Sequence, residues 1–96
     1  MILTERRTDR GLLVTVCDRA VLGETFEEDT ISLAVTEEFY GGDPVDPEAV
    51  VEALSRATIA NLVGQATVEL AVEEGFIDEE NVLEVEETLH AQYLQL

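Results

Sequence analysis

Cys17 and His90 are the single cysteine and the single histidine of the chain, and a thiol beside an imidazole is the smallest set that can make a thiolate nucleophile. Cys17 closes one run of alternating apolar residues and His90 lies on another near the C-terminal end, so a sheet could bring the two to one edge. Read alone, the cysteine is a small buried hydrophobe. Zinc asks for three or four nitrogen or sulfur ligands, which one Cys and one His do not supply, so neither a metal nor a cofactor is expected. With 22 Asp and Glu in the chain, paired carboxylates carry no information about acid–base catalysis.

Amides, an aromatic ring and paired glycines offer binding chemistry instead. Asn61 and Gln65 stand four residues apart, the spacing of a donor and acceptor pair on one helical face. Tyr40 precedes Gly41 and Gly42, where a ring in a glycine-bordered loop can stack on a base or an apolar group. Paired glycines can also turn backbone N–H groups toward an anion, although no Lys follows to complete a phosphate loop. His90 and Gln92 alternate with Leu89, Ala91 and Tyr93, so a core-facing register for the latter leaves an imidazole and an amide outside.

The element expected to organise these groups is Ala57–Val68, ATIANLVGQATV, which carries no charge. At 100° per residue Ile59, Leu62, Val63, Ala66 and Leu70 share one arc, which predicts a core-facing helix continuing to Glu74 and capped by Gly75. Its other arc, with Asn61, Gln65 and Gly64, reads either as a second packing contact, inside the domain or across a homodimer, or as a ligand-binding face.

Around this helix, Ile2–Arg7 and Leu12–Cys17 flank the turn Thr8-Asp9-Arg10-Gly11 and predict a hairpin. Asp18 is placed to cap a single turn, Arg19–Leu22, closed by Gly23. Ile31, Leu33 and Val35 alternate with polar residues as a third strand after the acidic turn Glu27-Glu28-Asp29. Asp46-Pro47-Glu48 opens a helix with Val50, Leu54 and Ala57 on its apolar edge and a Glu52–Arg56 pair, and Thr58 is placed to recap the chain as it enters the central helix. Val82–Val85 and Leu89–Leu94 close the chain as two short strands. The sum is one α+β domain over residues 1–96: a small antiparallel or mixed sheet of about five strands with two helices packed on one face.

The charge balance is 22 acids against five bases, all five Arg, for a formal net charge of −17. At molar salt the screening length falls to about 3 Å, and scattered carboxylates then keep a surface hydrated without strong self-repulsion. That pattern predicts a halophilic cytoplasm and leaves RNA open as a partner. The N-terminal stretch has no apolar run resembling a signal peptide or membrane span.

The segments CDRAVLGETFEE, EEFYGG, ATIANLVG and HAQ, in that order, resemble the archaeal family known as domain of unknown function 424. The matching positions are Cys17, Asp18, Leu22, Gly23, Phe39, Tyr40, Gly41, Gly42, Ala57, Thr58, Asn61, Gly64, His90 and Gln92. The resemblance implies a small archaeal cytoplasmic protein and assigns no catalytic residue. The function expected from the residues is a non-catalytic binding module for RNA or a ribonucleoprotein of the translation apparatus, with Tyr40, Gly41, Gly42, Asn61, Gln65, His90 and Gln92 at its site. The alternatives are a thiol enzyme using Cys17 and His90, and a homodimeric interaction domain.

Overall fold

The turn Thr8-Asp9-Arg10-Gly11 closes as its residues require. Thr8 Oγ1 accepts from Arg10 N at 3.1 Å and donates to Gly11 O at 2.9 Å, and Gly11 takes φ +124°. A computed structural model, which describes residues 1–95, thus begins with the hairpin of β1 (Ile2–Thr8) and β2 (Gly11–Cys17), Ile2 opposite Cys17.

The uncharged run corrects the central expectation. It is not one helix: Ile59–Val63 is a strand, Gly64 a break at φ +114° and ψ +151°, and Gln65–Glu73 a separate helix. Apolar residues at 59, 60, 62 and 63 fit a helical arc and a strand buried on both faces equally well, and periodicity alone does not separate them. What decides is the β-branched Ile59 and Val63, together with a glycine in a backbone region closed to helices. Thr58 does not recap a helix. Its Oγ1 accepts from Leu12 N at 3.1 Å and its N–H donates to Leu12 O at 2.8 Å, stitching the start of this strand to β2.

In chain order the remaining elements are β3 (Thr25–Glu28), β4 (Ile31–Ala34), α1 (Glu37–Tyr40), β5 (Asp43–Pro44), α2 (Pro47–Arg56), β6 (Ile59–Val63), α3 (Gln65–Glu73), β7 (Leu83–Val85) and β8 (Thr88–Leu94). Six strands form a mixed sheet in the order β5-β1-β2-β6-β8-β7, parallel only between β2 and β6, while β3 and β4 make a separate hairpin. The fold is therefore α+β, with two more strands in the main sheet than the hairpin and C-terminal pair alone would give and a third, four-residue helix.

Helices α2 and α3 cover one face. Val50, Ala53, Leu54 and Ala57 meet Leu12, Val14, Val16, Ala60, Leu62 and Ala91 there, and Val68 and Ala71 complete the core. Asp46 caps α2 through Ala49 N at 3.0 Å, with Pro47 in the first turn. Arg56 ends α2 with Nε on Glu52 at 2.6 Å and Nη1 and Nη2 on Glu5 of β1 at 3.0 and 3.1 Å. Among the described residues no helix is long and apolar enough to cross a membrane.

Candidate functional site

The side chains of a strand alternate between faces, so register fixes which residues stand together on the face opposite α2 and α3. Three rows cross it: Ile2, Cys17, Val63, His90 and Leu83; then Thr4, Thr15, Asn61 and Gln92; then Arg6, Leu13, Ile59 and Leu94. The first row is largely roofed. Ile2, Cys17 and Val63 form a second core with Val35 and Tyr40, packed by Val21, Leu22, Phe26, Leu33 and Phe39.

The roof is held by hydrogen bonds from the sheet itself. Thr36 caps α1 through Phe39 N at 3.3 Å, and the carbonyls at its other end accept from the second row: Phe39 O from Thr15 Oγ1 at 3.1 Å, Gly41 O from Thr4 Oγ1 at 2.9 Å. Arg6 donates to Glu38 O and lies 5.4 Å above the Phe39 ring. Beyond Val63 of the first row, the roof stops at β2. Asn61 and Ile59 are half-buried, Gln92 and Leu94 exposed, and a depression of about 300 Å³ is lined by Ile59, Gln92, Tyr93 and Leu94.

On this open half Asn61 and Gln92 are direct cross-strand partners. Among the described residues neither side-chain amide makes a hydrogen bond to protein, so both retain their donors and acceptor for something outside. His90 lies one cross-strand pair further along the same face. Its Nδ1 is 3.1 Å from Leu62 O, and since a carbonyl has no proton to give, Nδ1–H is the donor; in the neutral ring that leaves Nε2 as an acceptor.

Several expected members of the site are elsewhere. Gln65 does not pair with Asn61, because a strand and Gly64 separate them; its Nε2 bonds Glu69 at 2.9 Å on α3. Tyr40 is 4 % exposed and packs edge-on against Phe39, so it is a core ring and not a stacking platform. Gly41 and Gly42 are small because backbone passes close by: a Cβ on Gly42 would lie 2.2 Å from Leu3 O, and one on Gly41 2.4 Å from Glu37 O. The N–H of Gly41 already donates to Glu37 O at 2.8 Å. Phe39, Arg6, Leu13, Ile59 and Leu94 border the open face instead. Of these only Leu13 had a signal in the sequence, the two apolar faces of β2.

Asp18 also has a different task from the one its position suggested. The turn Arg19–Val21 receives no bond from its side chain. The carboxylate reaches across to the N-terminus of α3, accepting from Ala66 N at 3.0 Å, Thr67 N at 2.8 Å and Thr67 Oγ1 at 2.7 Å.

Cys17 and His90 share a row but are separated by Val63, which puts their backbones about 10 Å apart at ordinary strand spacing. Cys17 is fully buried, and burial, then the neighbouring Asp18 charge, push its thiol from 9.0 up to about 11. The geometry gives no thiolate–imidazole pair. Since the neutral thiol is the form the core accommodates, its contribution to stability is fully present below about pH 9 and is lost as the pH rises through about 11. Iodoacetamide in molar KCl is expected to leave Cys17 unmodified in the native protein and to alkylate it in urea. Modification at equal rates in both would restore the nucleophile reading.

Residues 5–96 match the model of the family described as "Protein of unknown function (DUF424)", and the chain belongs to that family. Comparison with curated proteins gives no match. Among solved structures, the crystal structure of an uncharacterized conserved protein from Methanopyrus kandleri is similar, with a TM-score of 0.75 over 99 % of this chain and 92 % of that one. At 24 % identity that likeness shows the fold alone.

Proposed function

Given a DUF424-family chain whose family description assigns no activity, we propose that it is a non-catalytic binding module whose open sheet face takes single-stranded RNA, free or within a ribonucleoprotein of the translation apparatus. The observation that carries this reading is the in-register Asn61–Gln92 amide pair, outward-facing and without an internal partner. Two parallel amides can read the edge of an unstacked base, and His90 Nε2 adds an acceptor beside them.

The surroundings support the same ligand. Phe39 with Arg6 borders the face as a stacking and cationic edge, and Arg6, Arg7 and Arg10, three of the five basic residues, lie in β1 and its turn at that end of the sheet. A net charge of −17 would repel phosphate in dilute buffer. In the molar salt of a halophilic cytoplasm, which the composition favours, phosphate attraction and repulsion are both screened, and amide and stacking contacts carry recognition.

Ultraviolet crosslinking in cells grown at native salt, followed by sequencing of the attached RNA, tests the reading. Asn61→Ala and Gln92→Ala are each expected to cut the RNA yield about tenfold, a loss of one base contact, while Gln65→Ala leaves it unchanged. Undiminished yield from the Asn61→Ala, Gln92→Ala double variant would remove the site. Adducts to protein alone, including a second copy of the chain, would remove RNA as the ligand.

A further inference from the structure

A second concave surface lies on the other side of the molecule, between α3 and the edge strand β7. It encloses about 570 Å³, with Val72, Val82 and Leu89 half-buried along its floor above the fully buried Val68. Glu69 and Glu73 of α3 form one wall and Glu84 of β7 stands on the other. None of the five arginines lines it.

Salt adaptation accounts for carboxylates anywhere on this surface but not for an apolar trough left between two walls of them. The arrangement also works against the helix that carries it. Glu69 and Glu73 are like charges four residues apart, which costs an isolated helix a few tenths of a kcal/mol, and the walls repel each other across the trough. Both costs are relieved by a ligand with cationic edges and an apolar centre. Phosphate and anionic lipid have the wrong sign. A second copy of this chain has only five basic residues against 22 acids, so it offers these walls few cations at contact range.

We propose that this groove binds a short cationic amphipathic segment of a partner protein, with Leu- or Val-like side chains on Val72, Val82 and Leu89 and Lys or Arg paired with Glu69, Glu73 and Glu84. α3 sets the scale: nine residues make a wall about 13 Å long, matched by about four extended residues or two to three turns of helix. The surface is separate from the open sheet face, so one molecule can hold both ligands.

The test is a titration of full-length, methyl-labelled protein, followed by NMR, with three synthetic peptides of about twelve residues, sized to cover that wall. One combines Leu with Lys, one has Gln in place of every Leu, and one has Glu in place of every Lys. The Leu–Lys peptide is expected to shift the methyls of Val72, Val82 and Leu89 saturably and the other two to leave them in place. Glu69→Gln with Glu73→Gln, at exposed positions that leave the fold intact, should weaken binding about tenfold. Equal binding of the Gln–Lys peptide would reduce the effect to general attraction by a polyanion and overturn the proposal. So would shifts confined to other methyls, or the same shifts appearing with protein concentration alone, which would make a second copy the occupant.

Discussion

Gly64→Ala is expected to lower the unfolding free energy by about 4 kcal/mol, combining left-handed strain with loss of a charged helix cap. The strain arises because φ +114° with ψ +151° is territory that only glycine enters freely. The cap is lost because the new Cβ would lie 2.4 Å from Asp18 Cγ, in the space the carboxylate needs to reach Ala66 N, Thr67 N and Thr67 Oγ1. Removing the carboxylate alone with Asp18→Ala isolates the second part and should cost about 2 kcal/mol, the upper end for a cap. Urea unfolding in molar KCl reads both as a lower midpoint at unchanged slope. A Gly64→Ala protein within experimental error of the parent would mean that residue 64 accepts ordinary helical geometry and that the strand-to-helix break is misplaced.

The second large effect separates strand from helix at the same place. Leu62→Ala should cost about 3 kcal/mol, since a fully buried leucine in a packed core leaves a cavity that its neighbours only partly fill. Ile59→Ala should cost less than about 1 kcal/mol, because Ile59 is half-buried on the open face. On a helix residues 59 and 62 would share a side and suffer alike, whereas on β6 they point to opposite faces. Equal losses at the two positions would contradict the strand, and amide exchange across Ile59–Val63 gives an independent check.

Local chemistry made much of this architecture readable. The Gly11 turn, the Asp46-Pro47 helix start, the Glu52–Arg56 pair and the left-handed Gly75 after α3 are each fixed by neighbours within a few residues. The core-facing register of Leu89, Ala91 and Tyr93 was likewise legible, because a strand with one face roofed and one open alternates cleanly. β6 was not legible. It is apolar on both sides because it lies between β2 and β8 with Ala60 and Leu62 under α2 and α3 and Val63 under the opposite roof, and such burial erases the alternation that identifies a strand. β3 was missed for the opposite reason: Thr25-Phe26-Glu27-Glu28 has one apolar residue and is a strand only because β4 pairs with it.

At the candidate site the residue types were legible and their pairing was not. Asn61, His90 and Gln92 do share a face, but Asn61 takes its partner from 31 positions away, as only a cross-strand register can specify. Tyr40, Gly41 and Gly42 looked like a ligand loop because close packing of backbone on backbone selects the same small residues that phosphate binding does. Asp18 reads as the cap of the turn that follows it, and nothing nearby in sequence could show that its hydrogen bonds lie 48 and 49 residues on.

The strand order also governs how a nascent chain must mature. β8, which emerges from synthesis after β1 to β7, does not join at the margin: it is inserted between β6 and β7. Until residue 94 has been translated, β6 lacks one of its two neighbours and β7 has no neighbour in the sheet, so the N-terminal hairpin can form early while the sheet as a whole waits for β8.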